Sequence, residues 1–176
     1  MKFADIKQFT RGANYRVNTS WKYLEETIKR YDDRAIPGFV FDMNPDFQRG
    51  HVWAEEQQRR YVEFILRGGQ SSREIYWNCK GWQGKYDGPM VLVDGKQRIE
   101  AALKFLRNEL AIFDGHFYKD FGDSILIRDP AFVFNVNDLK TRAEVLQWYL
   151  DLNSGGVVHS KEELDRVKEL LNKEKK

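Results

Sequence analysis

The 176 residues are 41% apolar and include 12 Phe, 8 Tyr and 5 Trp, enough for the core of one compact domain and too aromatic for a disordered chain. Lys and Arg total 29 against 27 Asp and Glu, a net charge of +2, so any nucleic-acid contact must be a local patch. A single Cys excludes an intrachain disulfide and any multi-cysteine metal site, while no apolar run approaches the ~18 residues of a membrane span or the core of a signal peptide.

These features predict a soluble, cytoplasmic protein with no membrane partner. Thr19 or Ser20 can cap a first helix over 21–31, whose apolar positions Trp21, Leu24, Ile28 and Tyr31 recur at helical spacing. Pro37 and Gly38 punctuate the chain before a short strand, Phe39-Val40-Phe41. That strand leads into Asn44-Pro45-Asp46-Phe47-Gln48-Arg49-Gly50-His51-Val52-Trp53. A second helix is predicted over 54–66, with Glu55 and Glu56 at its start, Arg67 at its end and Gly68-Gly69 as its stop. Residues 74–79 read as a strand and 81–89 as a loop.

Met90-Val91-Leu92-Val93 has the pattern of a short buried strand running into Asp94-Gly95-Lys96-Gln97-Arg98. The helix that follows carries Ile99, Ala102, Leu103 and Leu106 on one face. Asp114-Gly115 tolerates positive φ and predicts a hairpin, and 131–136 reads as another strand. Thr141 caps a helix to about Leu152, Asn153-Ser154-Gly155-Gly156 breaks it, and Ser160 with Glu163 makes a capping box for the last helix. The Lys-rich end, 172–176, is expected to be a short disordered tail. Strands and helices mix without regular alternation, which predicts an α+β fold in a single domain spanning 1–176. Trp21, Phe64, Leu92 and Leu103 are expected in its core.

Chemistry concentrates at the strand-to-helix corner. A buried strand ending in Asp94-Gly95 places the next helix N-terminus, with its unpaired N–H groups, at a surface crevice. Gly95 lets backbone approach a ligand closely, and Lys96 and Arg98 add full charges suited to phosphate. Asp94 could orient Arg98, hold Mg²⁺ through water or position a nucleophilic water. A plain helix with an acidic cap and solvated basic residues has the same pattern. In the second segment, Gln48 and Arg49 are polar heads set between Phe47 and Val52-Trp53. A buried Arg there needs a carboxylate such as Asp46 or an anionic ligand. Asn153 to Gly156 reads first as a helix stop, with a ligand-closing backbone nest as the alternative.

Other chemistries lack support. His51, His116 and His159 have no metal-ligand spacing, and Cys79 sits in a Tyr-Trp-rich strand as a packing residue. Neither a G-x-x-x-x-G-K-[ST] nor a G-x-G-x-x-G loop is present. Trp77, Trp82 and Tyr86 could stack on a base, with core packing the simpler reading.

Phe47-Gln48-Arg49 with Trp53, a helix, then Asp94-Gly95-Lys96-Gln97-Arg98 resembles the N-terminal domain of GmrSD-type, modification-dependent restriction endonucleases. That family carries Asp-Gly-Gln-Gln-Arg after a buried strand, Phe/Tyr-Gln-Arg-x-x-x-Trp before the preceding helix, and an Asn-x-Gly-Gly segment like Asn153 to Gly156. The order of the landmarks matches over about 21–170. The resemblance implies a ParB/sulfiredoxin-like fold, a small mixed sheet flanked by helices with a phosphate-binding corner. Sulfiredoxins place a reactive cysteine after the corner glycine. Lys96 stands there, so sulfinic-acid repair is not expected. ParB-type relatives bind a nucleoside triphosphate at this corner, and in the GmrSD-like family nucleotide binding and hydrolysis govern DNA cleavage by a separate HNH region.

The chain departs from the family at Lys96, which replaces the usual first Gln, and its 176 residues hold no HNH region, so a stand-alone domain is expected. The leading expectation is a module that binds, and slowly hydrolyses, a nucleoside triphosphate. Gly95, Lys96, Arg98, Gln48, Arg49 and Asn153 would bind the nucleotide; Asp94, Gln97 and Arg98 would be catalytic, with Mg²⁺ at Asp94. DNA and a partner protein or separate nuclease are the further partners implied. The competing readings are a non-catalytic DNA- or protein-binding module in phage or defence biology, and a weak ParB-like nuclease. The nucleotide-site reading requires 46–53 and 94–98 to face one another.

Overall fold

The computed structural model describes residues 2–10, 12–34, 36–48, 53–82, 84–153 and 161–175, apart from the side chains of Ala4 and of 161–163. Its strands are β1 (Tyr15–Ser20), β2 (Phe41–Asp42), β3 (Glu74–Cys79), β4 (Met90–Asp94) and β5 (Ala131–Asn137). Its α-helices are α1 (Leu24–Asp32), α2 (Glu55–Leu66), α3 (Lys96–Leu106), α4 (Arg142–Asn153) and α5 (Lys161–Glu174). The strands make one five-stranded mixed sheet in the order β1-β5-β3-β4-β2. β5 runs parallel to β3 and β2 parallel to β4, while the β1/β5 and β3/β4 pairs are antiparallel. The fold is α+β, a small mixed sheet flanked by helices.

The two-residue period of a strand decides which residues meet which helices. Ile75, Trp77 and Cys79 of β3, Met90 and Leu92 of β4, and Phe132, Phe134 and Val136 of β5 share one core with residues of α1, α2 and α3. Val91 and Val93 of β4 turn to the opposite face, where Val145, Leu146, Trp148 and Tyr149 of α4 and Val167 and Leu171 of α5 pack. A strand covered on both faces reads as an unbroken apolar run, which is why 90–93 shows no alternation. Trp21, Leu92 and Leu103 are buried as expected, and so are Trp77 and Trp82. Cys79 is buried too, and burial pushes its thiol up to about 11, which keeps it protonated and unreactive at neutral pH. Phe64 departs from expectation at 43% exposed. Its ring covers the backbone at Gly69, where a Cβ would stand 2.4 Å from it, so the α2 stop rather than the core takes this side chain.

Predicted helices and strands 74–79, 90–93 and 131–136 are found within one or two residues, with differences at the edges. A 3-10 turn, Trp21–Tyr23, precedes α1, and Ser20 caps it by accepting from Lys22 N at 3.3 Å. β1 has no counterpart in the sequence reading, because this edge strand is mostly exposed and only Thr19 in it is buried. Its pairing with β5, from Tyr15 opposite Val136 to Ser20 opposite Ala131, is what makes it a strand. β2 is displaced from Phe39-Val40-Phe41 because β4 offers partners only to Phe41 and Asp42, at Met90 and Val91. The hairpin expected at Asp114-Gly115 reduces to one bridge, Ile112 with His116, followed by a 3-10 turn at Tyr118–Asp120. No strand lies alongside to extend it. α5 continues through Glu174, into the stretch whose composition predicts a disordered tail. Ser160 and the side chain of Glu163 lie outside the described residues, and with them the expected second capping box.

The cap of α4 makes a stability prediction. Thr141 Oγ1 accepts from Glu144 N at 3.2 Å, and Glu144 Oε2 accepts from Thr141 N at 2.9 Å. These bonds, chiefly those from Thr141, hold the Glu144 carboxyl below its usual 4.5. The unfolded chain therefore binds the proton more readily, so this stabilisation is complete above about pH 5 and lost as acid protonates the folded carboxyl. Thr141→Ala should cost about 1 kcal/mol at neutral pH. Urea titrations of wild type and Glu144→Gln should converge as pH falls toward 3, and a constant gap would refute the assignment.

Candidate functional site at the end of β4

Asp94 ends β4 opposite Tyr76, and Gly95 turns the chain into α3 with φ of +107°. A Cβ on Gly95 would stand 2.5 Å from Ile75 Cδ1. Glycine is thus required here twice, by the backbone angle and by the close seat on β3. The close approach that the sequence suggests for a ligand is, on the Cβ side, an approach to Ile75.

α3 then presents Lys96, Gln97 and Arg98 in its first turn. Arg98 folds back onto the corner, where Nη2 pairs with the Asp94 carboxylate and Nη1 donates to Glu74 O at 2.7 Å. Both side chains of the pair are largely covered, 17% exposed for Arg98 and 26% for Asp94. Lys96 is held only loosely, 3.8 Å from Glu100. The rings of Tyr61 and Tyr76 lie near this charge pair. Burial raises both phenol pKa values, and the Arg98 cation opposes the rise in each.

The two segments do come together. Gln48 Nε2 donates to Leu92 O at 2.7 Å, taking a β4 carbonyl just past the point where β2 ends. Gln97 Oε1 accepts from Trp53 N at 2.7 Å, so the amide of the corner ties down the end of the 46–53 segment. Gln58 continues the link, donating to Trp53 O at 3.0 Å and accepting from Lys104 Nζ at 3.1 Å. Arg49, Gly50, His51 and Val52 lie outside the described residues. Asp46, the carboxylate considered for Arg49, is instead gripped by Arg142 through both oxygens at 2.9 and 2.8 Å. Arg166 holds the same turn by donating to Asp46 O and Phe47 O.

Asn153 is buried at the end of α4, and its Nδ2 donates to Tyr149 O at 2.7 Å, back into its own helix. Ser154, Gly155 and Gly156, the rest of that landmark, are outside the described residues. Among the described residues no three His, Cys, Asp or Glu side chains gather into a metal-binding group. Asp94, the residue expected to hold Mg²⁺, directs its charge at Arg98, so these side chains do not by themselves fit a closed Mg²⁺ cage.

The partners that sequence reasoning missed are Glu74 O, Arg142 and Arg166. They lie 24, 96 and 120 residues from the groups they hold, and no local spacing signals such pairings. The described residues contain no helix long and apolar enough to cross a membrane.

The family described as GmrSD restriction endonuclease, N-terminal domain, matches residues 24–131, from the start of α1 to the start of β5. That span holds both the 46–53 segment and the Asp94-to-Arg98 corner, while Asn153 to Gly156 falls beyond it. No curated protein and no solved structure matches the chain. With well over half of its length matched, and with the paired segments inside the match, the chain belongs to the GmrSD restriction endonuclease N-terminal domain family.

Proposed function

We propose that this restriction-related domain binds a nucleoside triphosphate at the β4–α3 corner and hydrolyses it slowly. The observation that supports this most is the gathering of Lys96 and Arg98 on the first turn of α3, beside N–H groups that have no intrahelical partner. Arg98 spends one N–H on Asp94 and one on Glu74 O, which leaves the rest of its planar fork for phosphate oxygens. Lys96, with its 3.8 Å contact, gives up little to reach a phosphate. Gln48 and Gln97 act as positioning residues, because each has its amide committed to backbone across the two segments. Arg49 and Asn153 complete the proposed nucleotide contacts.

In hydrolysis, water would bond to the γ-phosphorus as the β–γ bridge breaks, with Asp94 orienting that water and accepting its proton. Mg²⁺ would arrive as the counter-ion of the triphosphate. DNA, and a partner that cuts it, are the proposed recipients of the signal.

One observation favours a second reading. The double anchorage of Arg98 is also what a scaffold would need, and a non-catalytic DNA- or protein-binding module would keep it unchanged. Calorimetric titration with ATP and GTP separates the two. Binding should be present, and Lys96→Ala should weaken it about tenfold, the usual worth of a charge-assisted contact. Phosphate release should vanish in Asp94→Ala. No heat with any triphosphate would move the binding-module reading ahead, and nicking of supercoiled plasmid by the isolated domain would favour a nuclease.

A further inference from the structure

A cavity of about 440 Å³ opens between the C-terminal ends of α2 and α3 and the connection from α3 to β5. It is remote from the corner. Lys96 and Phe105 lie at opposite ends of α3, about 14 Å apart along the axis at about 1.5 Å per residue. Phe105 is 1% exposed and forms the floor. Tyr118 and Phe121 stand edge-on to it, with ring centroids at 5.4 and 6.1 Å.

Phe113 supplies another wall. Its N–H donates to Glu63 at 2.8 Å, and the Arg67 guanidinium lies over its ring at 5.0 Å. Phe113 holds φ at +43°, a genuine outlier for a bulky side chain, and Asn108, Asp114 and Asp129 in the same connection are also positive. Such strain persists only where surrounding contacts enforce it. The segment is therefore built rather than slack.

The charges at this rim are unspent. Arg67 and Arg128 are exposed, and among the described residues neither guanidinium makes an ion pair. Asp123 lines the same opening and is likewise unpaired among the described residues. Aromatic walls, two arginines and one carboxylate match a ligand with a flat ring, an anionic group and a hydroxyl or amino donor. A nucleotide has all three.

We infer that this cavity is a second nucleotide site, separate from the β4–α3 corner, in which the base stacks among Phe113, Tyr118 and Phe121. Arg67 and Arg128 take the phosphate, and Asp123 accepts from the sugar or from an exocyclic amine. The cavity is large enough for one nucleotide, which can come free in solution or as one unit of a single strand. The inference does not rest on triphosphate binding at the corner.

The test is calorimetry of the full chain with AMP, with a short oligothymidylate, with adenosine and with inorganic phosphate. AMP or the oligonucleotide should bind, and whichever binds more tightly identifies the source. Arg128→Ala and Phe121→Ala should each weaken that binding about tenfold, the scale of one charge-assisted contact or one stacked base. Both residues are exposed, so the variants should fold, and melting curves will verify it. Lys96→Ala should leave this binding unchanged. Loss of binding in Lys96→Ala but not in Arg128→Ala would place the ligand at the corner and overturn the inference. So would equal affinity for phosphate and AMP, which would mean an anion contact with no base pocket, or no binding of AMP and oligonucleotide alike.

Discussion

Gly95→Ala is expected to cost about 2–5 kcal/mol of folding stability, the largest single effect at the corner. One part is backbone strain, since a φ of +107° is poor for any residue with a Cβ and such strain amounts to about 1–3 kcal/mol. The other is overpacking. The new methyl would stand 2.5 Å from Ile75 Cδ1 and 3.3 Å from Ile75 Cα, and the second of these is backbone that cannot rotate away. Forcing one extra group into a packed site costs about 1–3 kcal/mol. The measurement is a urea titration, read as a fall in midpoint at constant slope. A cost below about 1 kcal/mol would show that β3 and the corner are less tightly seated than the geometry requires. Ile75→Ala in the same background should recover part of the loss, because it removes the clash but not the strain.

Arg98→Ala should lower stability by about 1–3 kcal/mol, since it leaves the Asp94 carboxylate and Glu74 O without the donor that satisfies them. Breaking a fully buried pair costs about 3–5 kcal/mol, and the residual exposure of both side chains, 17% and 26%, reduces it. Arg98→Lys should restore only part, because an ammonium cannot span a carboxylate and a carbonyl in one plane. The ligand arm of the experiment carries the functional reading. A triphosphate at about a hundredfold its dissociation constant should stabilise the wild type by about 2.7 kcal/mol, and Arg98→Ala should lose most of that gain. Destabilisation by Arg98→Ala with no nucleotide effect on the wild type would make the corner a scaffold.

These expectations differ from the picture that sequence alone suggests, in which Arg98 lines an open crevice. Spacing shows that Asp94 and Arg98, four apart across a helix start, can meet. It does not show that Glu74 O waits on the neighbouring strand, because that carbonyl is placed by the β3/β4 register and its irregularity at Tyr76 and Trp77. The same holds for Gln97 and Gln48. Both were legible as polar groups near a site, but their backbone partners, Trp53 N and Leu92 O, exist only once the two segments are side by side. Asp46 was legible as a carboxylate needing a cation, and the fold assigned it Arg142 from α4.

What the amino-acid sequence determined by itself is whatever depends on neighbours along the chain. The start and stop of α2, the strands at 74–79 and 90–93, the Thr141–Glu144 cap and the glycine turn into α3 are local, set by periodicity, capping chemistry and backbone angles within a few residues. Tertiary structure decided the rest. β1 is a strand because β5 offers its edge, Phe64 is exposed because α2 turns it toward Gly69, and the predicted hairpin fails because no strand lies beside it. Arg98 belongs to both classes. Its charge and its place after Asp94-Gly95 are in the sequence, whereas its acceptor on β3 is fixed by a long-range pairing whose free energy comes from burying the sheet between two layers of helices.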